Sequence, residues 1–323
     1  MRPCPLCGSS NHALVSNRMQ HGLDLNTVVC EECSFVYTNP VPPREVYERF
    51  YVEAYSRYYG HITPKPIGTR GSAEPAQLAT KLNLIEQSLR LAGSRLLEIG
   101  PGNGFFLYWA QRRGCEVLGV EPSPGFCHVL AAAGLPHLEG VLSDVRPEIH
   151  GQFDIVFMAH VLEHFYDPNE ALQHCSSLLK SNGVLAIEVP NILKPFRSLD
   201  RYFLRYVHLS NFSPQTLKAM LQKHGFQQQY LHEGGHDWRA PQSLAVIARK
   251  NGETDWKPVP LKGEAERVWQ TLSAYRQTWD WFLAPKWYAR SLRLGARRSL
   301  IRVARPLKRL LVGSRTEVNA CGH

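Results

Sequence analysis

Residues 96–104 have the sequence LLEIGPGNG, a short apolar run that ends in glycines and leads into an apolar helical stretch from Phe105. This pattern predicts a buried strand that turns sharply into a helix. Because glycine has no Cβ atom, the backbone of such a turn can approach a ligand closely, and the helix N-terminus offers N–H groups to a carboxylate or a phosphate. The stretch therefore predicts a cofactor loop at the end of a strand in an α/β sheet.

The spacing of these glycines separates two classes of cofactor. The dinucleotide fingerprint G-x-G-x-x-G/A needs a small residue where the helix packs on the strand, but this chain has Phe105 there, and its third glycine is Gly104. Glu121 ends the next predicted strand, about 20 residues after the loop, where a carboxylate can bind both ribose hydroxyls. The glycine spacing therefore disfavours a nicotinamide dinucleotide, whereas Glu121 still indicates a cofactor that contains a ribose.

The G-x-G-x-G loop with its acidic lead resembles motif I of class I S-adenosylmethionine-dependent methyltransferases. The resemblance implies an α/β, Rossmann-like sheet with helices on both faces, and a loop that wraps the methionine end and the sugar of the cofactor. The cofactor-binding residues that it implies are Glu98, Gly100, Gly102, Gly104, Glu121, Pro122, Val141, Leu142 and His160. The family places its adenine pocket at Val141 and Leu142, although apolar residues there fit plain core equally well.

Alternating apolar runs and helical stretches follow, as in a parallel sheet wrapped by helices. Predicted strands cover residues 95–99, 116–121, 137–139, 154–158, 184–189, 228–233 and 244–248. Predicted helices cover residues 105–113, 125–133, 168–180 and 214–224. The expected domains are a zinc-ribbon-like head at 1–40, a helical linker or lid at 41–76, the Rossmann-like methyltransferase domain at 77–250 and a basic helical extension at 251–323.

A second polar group follows the predicted strand in FDIVFMAHVLEHFYDP, residues 153–168. Its loop carries His160, Glu163 and His164, and ligands of open α/β sheets bind beyond the carboxyl ends of the strands. The string resembles the VLEH-x-x-DP signature of methyltransferases that act on small molecules. Methyl transfer from a sulfonium is an in-line displacement that often requires a base, so His160 and His164 are candidate bases. Glu163 would orient a histidine or, as in some relatives, help to bind a divalent metal. The alternative, that Glu163 and His164 only stabilise the loop, has equal weight.

A long segment, residues 192–226, follows the next predicted strand. Its end resembles the family segment H-L-x-x-F-[ST]-P, and Ser213 before Pro214 predicts a helix start. The resemblance ties His208 to the active site. Relatives that methylate sugar carbons use a Tyr/His pair in this region, so Tyr206 and His208 form a second pair of candidate bases; a buried histidine that only stabilises the lid is the alternative.

Two C-x-x-C pairs near the start, Cys4 with Cys7 and Cys30 with Cys33, have the spacing of a zinc ribbon. They predict a structural Zn²⁺ rather than free thiols or a redox pair, and four protein ligands leave no open position for catalysis. The head and the following NPVPP resemble the zinc-binding front of a bacterial methyltransferase group linked to sugar and secondary-metabolite pathways.

The formal net charge of +9 comes from the tail. Nine basic residues without an acidic neighbour lie in residues 281–311: Lys286, Arg290, Arg293, Arg297, Arg298, Arg302, Arg305, Lys308 and Arg309. With the nearby tryptophans they predict a basic amphipathic helix, which would either lie on an anionic membrane surface or pack on the core. With no signal peptide or membrane-spanning run in the sequence, we expect a cytoplasmic protein, peripheral at the inner membrane surface in the first case.

The sequence therefore favours an S-adenosylmethionine-dependent methyltransferase that acts on a small molecule: a sugar, a lipid-linked compound or a secondary metabolite. Two alternatives stay open. One is an RNA or protein methyltransferase that binds a polymer through its zinc head and its basic tail, and the other is a cofactor-binding subunit without catalytic activity. Nucleic acid is the less favoured partner, because the chain has neither the NPPY tetrad of base methyltransferases nor the catalytic cysteine motif of carbon-5 RNA enzymes. The sequence does not predict the acceptor atom or the oligomeric state.

Overall fold

A computed structural model describes residues 1–20, 23–53, 74–234, 242–252, 256–258, 260–261 and 263–286. The chain forms two compact units, Met1–Ser273 and Ala274–His323. The strands are β1 His12–Gln20, β2 Leu23–Cys30, β3 Val36–Thr38, β4 Arg95–Ile99, β5 Glu116–Glu121, β6 His137–Glu139, β7 Phe153–Ala159, β8 Leu179–Pro190, β9 Ser210–Asn211, β10 Phe226–Glu233 and β11 Ser243–Lys250. The α-helices are α1 Arg44–Glu53, α2 Ala76–Glu86, α3 Phe105–Arg112, α4 Pro124–Ala132, α5 Pro168–Leu178, α6 Pro214–Lys223 and α7 Glu264–Thr278.

The larger sheet has the order β10-β11-β8-β7-β4-β5-β6. Strands β8, β7, β4, β5 and β6 pair in parallel, whereas β11 is antiparallel to both of its neighbours. The helices between the parallel strands make this a Rossmann-like α/β sheet, as the sequence predicted. The carboxyl ends of β4, β5, β7 and β8 meet at one edge, which is where ligands bind in such sheets.

Strand β4 is buried on both faces of the sheet. Leu97 and Ile99 join one apolar cluster, while Leu96 joins the cluster on the opposite face. In the second cluster the rings of Phe106 and Phe157 stack with centroids 3.7 Å apart. Burial on both faces explains why the strands read as continuous apolar runs rather than as alternating patterns.

The predicted elements of this sheet are confirmed, with differences at their ends: β8 begins at Leu179 rather than at residue 184, and β10 begins at Phe226 rather than at residue 228. The predicted helix over residues 168–180 ends two residues early, at Leu178, and Leu179 already pairs with Phe153 as the first residue of β8. The periodicity of Leu178 and Leu179 fits a helix, but Leu179 has an extended backbone, with φ −76° and ψ 140°. The predicted start at Ser213 is confirmed, because the Ser213 hydroxyl accepts from the N–H of Thr216 at 3.2 Å.

The head forms a second, antiparallel sheet of order β1-β2-β3-β9. Strand β9 does not belong to the head in sequence; it comes from the segment between β8 and α6, and pairs Ser210 with Tyr37 and Asn211 with Val36. Further bonds join head and core, since Lys223 Nζ donates to the carbonyls of Pro5 and Leu6 at 2.8 and 3.0 Å. The head therefore supports the segment that precedes β9.

In the second unit, the described residues continue the end of α7, and the rings of Tyr275 and Trp279 stack there. The neighbouring side chains of Trp281 and Phe282 are 78% and 65% exposed. The remainder of the predicted basic helix, from Trp287 onward, lies outside the described residues, as do residues 54–73 of the predicted linker or lid. Within the described part of the chain, no helix is long and apolar enough to cross a membrane.

Candidate active site and zinc centre

The glycine loop lies at the end of β4. Gly100, Gly102 and Gly104 have φ values of 67°, 53° and 70°, which favour glycine. Gly100 is also closely packed, since a Cβ atom there would lie 2.9 Å from Cγ2 of Val161. At Gly102 a Cβ atom would meet nothing within 4 Å, so the loop leaves open space on that side.

Glu121 ends β5 and binds the loop. Its Oε2 accepts from the N–H of Gly102 and its Oε1 from the N–H of Ser123, each at 2.9 Å. Burial raises the pKa of Glu121, and these two hydrogen bonds oppose the rise. Each carboxylate oxygen can accept a further bond, so the predicted contact with ribose hydroxyls is compatible with the bonds to the loop.

Glu98 is buried in β4, just before the loop. The N–H of Leu107, in the first turn of α3, bonds to its carboxyl, yet burial raises the pKa of Glu98 to about 8. Its Oε2 has no hydrogen-bond partner within the described residues. A buried acid with an unpartnered oxygen, beside a glycine loop with open space, fits a ligand that carries positive charge, as S-adenosylmethionine does.

The structure places the remaining predicted cofactor residues near the ends of β5 and β6. Pro122 follows Glu121 and is half-buried. Val141 is exposed, whereas Leu142 is buried and belongs to the core cluster. Contact with an adenine ring remains a prediction for both, and Leu142 also serves the core.

His160 follows β7 in a left-handed backbone conformation, with φ 56°. Its Nδ1 lies 3.6 Å from Glu163 Oε1, and its Nε2 lies 3.4 Å from Glu188 Oε1. Burial alone would lower the pKa of His160, but the carboxylates of Glu163 and Glu188 raise it to about 9. A protonated imidazole has no lone pair, so this arrangement argues against His160 as the base.

Glu188 is a site residue that sequence reasoning missed. It lies at the carboxyl end of β8, and its Oε2 forms an ion pair with Lys81 Nζ at 2.6 Å. The signal was available, because Glu188 lies one residue before the end of the predicted strand 184–189, at the same sheet edge as Glu121 and His160.

His164 and His208 lie together beside Glu163, deeper in the protein. Their rings are 4.9 Å apart, edge to face. His164 Nδ1 lies 2.9 Å from the carbonyl of Val207, and His208 Nδ1 lies 2.7 Å from that of Phe203. Burial lowers the pKa of both histidines, that of His208 to about 3, so both rings are neutral at physiological pH.

Glu163 faces these histidines as a buried carboxylate. Burial would raise the pKa of Glu163, but the neighbouring His164 and His160 lower it to about 2. Its Oε1 lies 3.8 Å from His164 Nε2. The structure thus brings Glu163, His164 and His208 into one cluster, from two separate segments of the chain.

Tyr47 joins the two segments that carry these histidines. Its hydroxyl lies 2.6 Å from the carbonyl of His164 and 3.1 Å from that of Val207, and donates between them. The ring of Tyr47 packs against the rings of Tyr166 and Tyr206, and the sequence did not predict a role for its hydroxyl. Tyr206, the other predicted base, is buried, and its ring packs against Tyr47 and Phe50.

The four cysteines of the head form a compact centre. The Sγ atoms of Cys4 and Cys33, and those of Cys7 and Cys30, are each 3.5 Å apart, and all four lie within 4.8 Å of one another. Zn–S bonds of about 2.3 Å in a tetrahedron separate the sulfur atoms by roughly 3.8 Å. The centre therefore fits a structural zinc ion. Cys115, Cys127 and Cys175 are buried elsewhere as free thiols.

Comparison with known proteins agrees with this fold and loop. Residues 72–231 match the family described as a methyltransferase domain. The chain is similar to ubiquinone biosynthesis O-methyltransferases, 32% identical over 121 residues in Marinobacter nauticus and 33% over 120 residues in Pseudomonas aeruginosa. These matches cover 34% of this chain and 50% of each relative, so the chain spans about half the length of the curated relatives it matches.

A solved structure supports the fold. The chain resembles Burkholderia thailandensis 1,6-didemethyltoxoflavin-N1-methyltransferase, crystallised with 1,6-didemethyltoxoflavin and S-adenosylhomocysteine. The TM-score is 0.52 at 14% identity, over 76% of this chain and 100% of that one. The family match, the strand order and the glycine loop all agree with a methyltransferase domain of the class I, S-adenosylmethionine-dependent type.

Proposed function

We propose that this protein transfers the methyl group of S-adenosylmethionine to a small-molecule acceptor, such as a sugar, a lipid-linked compound or a secondary metabolite. The observation that carries the proposal is the bond between Glu121 and the N–H of Gly102, because it couples the ribose-binding acid to the cofactor loop. The relatives that act in ubiquinone biosynthesis support a small molecule as the acceptor.

The residues divide between two tasks. The glycine loop and Glu121 hold the methyl donor. His164 and His208 face the acceptor. In the transfer, an acceptor lone pair attacks the methyl carbon, the carbon–sulfur bond breaks, and its electron pair stays on sulfur. The acceptor proton passes to a base, and a neutral imidazole of this pair can take it. Tyr206 lies behind Tyr47 and is the weaker candidate.

A labelling experiment tests the proposal against both alternatives. The purified protein is incubated with methyl-tritiated S-adenosylmethionine and an extract of its own organism, and the products are divided by ultrafiltration. We expect label in the small-molecule fraction with the wild type and none with Glu121→Ala. Label in the retained polymers would favour an RNA or protein acceptor, and no label in either fraction would favour a non-catalytic subunit.

We further propose that the tail contacts an anionic membrane surface. The exposed Trp281 and Phe282 support this, since they precede the nine basic residues of the predicted helix. In liposome flotation, the wild type should float with anionic vesicles and not with neutral ones, and Trp281→Ser with Phe282→Ser should weaken flotation. Equal flotation after removal of residues 281–323 would contradict the proposal.

A further inference from the structure

A lysine of the core binds the first C-x-x-C turn of the head. Lys223 is the last residue of α6, and its Nζ donates to the main-chain carbonyls of Pro5 and Leu6, at 2.8 and 3.0 Å. These are the two residues between Cys4 and Cys7. The ammonium group is therefore bonded to the turn that supplies two of the four zinc ligands, although Lys223 is far from this turn in the sequence.

The surroundings of Lys223 bring its charge close to the cysteine centre. The residue is half-buried, and its Nζ lies 5.5 Å from the centre of the Trp256 ring, within the range of a cation–π contact. Burial lowers the pKa of Lys223, whereas Asp167 and three of the four cysteines of the centre raise it. The positive charge of Lys223 is thus near enough to the thiolates to interact with them.

A second side chain of the core binds the same turn. Asn169, in the first turn of α5, donates through Nδ2 to the carbonyl of Pro5 at 3.0 Å. Its Oδ1 lies 3.0 Å from Nε2 of His224, the residue that follows Lys223. The carbonyl of Pro5 therefore accepts hydrogen bonds from two helices of the core, which fixes the position of the turn relative to the ends of α5 and α6.

A zinc ion bound by four cysteines needs positive charge around it. Four thiolates and one Zn²⁺ carry a net charge of about −2, which is unfavourable away from water unless cations or hydrogen-bond donors compensate it. Three of the cysteines are buried, and Cys7 is half-buried. The charge of Arg2 also acts on Cys4, and its guanidinium donates to the carbonyl of Tyr166. Lys223, in contrast, is bonded directly to the turn that carries Cys4 and Cys7.

We infer that Lys223 is a positioning residue of the zinc centre, which holds the Cys4–Cys7 turn in place and offsets part of the negative charge of the zinc-bound thiolates. Groups that bind the ligands of a metal from outside commonly change its affinity by about 10- to 100-fold. The zinc affinity of the head then depends on α6, which lies outside the expected head at residues 1–40. The inference does not depend on which acceptor is methylated.

Zinc competition tests the inference on the full-length protein, with a chromophoric chelator that reports the zinc it removes. Lys223→Met removes the charge and both hydrogen bonds but keeps a long apolar side chain beside Trp256. We expect its zinc affinity to be at least tenfold weaker than that of the wild type. Lys218→Met, at an exposed position of the same helix, is the matched control and should bind zinc as the wild type does. In the Co²⁺-substituted proteins, the visible absorption bands should shift in Lys223→Met and not in the control.

Wild-type zinc affinity in Lys223→Met would overturn the inference, and so would an equal loss in Lys218→Met, since that would indicate a general effect of charge on α6. Circular dichroism of the same samples identifies a variant that fails to fold. If Lys223→Met fails to fold, Lys223→Gln decides, because it removes the charge but keeps a hydrogen-bond donor. It should bind zinc at least threefold more weakly than the wild type, and undiminished affinity in this variant would overturn the inference.

Discussion

The two sides of the proposed site, the donor side and the acceptor side, are built in different ways. The donor side consists of a glycine loop and a carboxylate at the ends of the adjacent strands β4 and β5, and a single hydrogen bond joins them. The acceptor side combines the turn after β7, the segment before β9 and a tyrosine from α1. Short-range geometry determines the first region, whereas the second depends on contacts between distant parts of the chain. Variants that affect one side and spare the other test this difference.

Loss of the zinc centre should have the largest effect on stability, because the head supports the acceptor side. Structural zinc contributes on the order of 10 kcal/mol to folding, and strand β3 of the head pairs with β9, beside His208. Cys33→Ser should abolish zinc binding and lower the melting temperature by at least about 10 °C. Affinity for S-adenosylhomocysteine should change less than threefold.

The control for this experiment is Cys115→Ser, because Cys115 is a buried thiol outside the head that bonds to the carbonyl of Leu91. Zinc content, measured by mass spectrometry, should be unaffected in the control. A Cys33→Ser protein that loses zinc and keeps the wild-type melting temperature would contradict the supporting role of the head.

The next effect concerns pH and the donor side. Because burial raises the pKa of Glu98 to about 8, the folded protein binds a proton there that the unfolded chain releases near its ordinary pKa. The contribution of Glu98 to stability is therefore fully present below the unfolded pKa and is lost as the pH rises toward 8. Relative to Glu98→Gln, the wild type should lose about 2–4 kcal/mol of unfolding free energy between pH 5 and pH 8.

Urea unfolding at the two pH values, without cofactor, measures this difference. Groups common to both proteins cancel in the comparison. A difference between wild type and Glu98→Gln that stays constant with pH would show that Glu98 is already ionised in the folded protein.

A loop substitution should reduce cofactor affinity by more than its backbone strain accounts for. Gly102→Val places a β-branched side chain at φ 53° and into the open space beside the loop. We expect at least a 100-fold loss of affinity for S-adenosylhomocysteine, which is about 2.7 kcal/mol. Gly134→Val is the matched control, because Gly134 has φ 69° and the same open surroundings but lies in the turn after α4. Comparable losses in both variants would point to strain rather than to a cofactor contact.

The smallest effect is expected on the acceptor side, at Tyr47. Tyr47→Phe removes a hydroxyl that bonds to the carbonyls of His164 and Val207, and should cost about 1–2 kcal/mol of unfolding free energy. Denaturant unfolding measures this change. Tyr230→Phe, at an exposed position, should stay within about 0.5 kcal/mol of the wild type. Equal stability of Tyr47→Phe and the control would show that the hydroxyl does not join the two segments.

The same contrast explains what the sequence could predict. Strands β4 and β5 have the predicted limits, because an apolar run closed by a glycine or by an acid at a strand end is a local signal. The C-x-x-C pairs are equally local, so the cysteine centre was predicted residue by residue.

The rest depends on long-range pairing. Strand β9 has two residues and exists because β3 lies beside it, and no periodicity reveals such a strand. His160 and His208 were both candidate bases in the sequence, but only the structure shows that His160 lies between two carboxylates. The hydroxyl of Tyr47 likewise acquires a role only when the segments of His164 and Val207 meet.

Calorimetric titration with S-adenosylhomocysteine tests the central claim, that the methyl donor is held by the Glu121 side and not by the histidine side. Glu121 bonds to the loop, whereas His208 belongs to the cluster with Glu163 and His164. Glu121→Ala should bind S-adenosylhomocysteine at least 30-fold more weakly, a loss of about 2 kcal/mol, whereas His208→Ala should bind it within threefold of the wild type. Undiminished affinity in Glu121→Ala, or an equal loss in both variants, would contradict it.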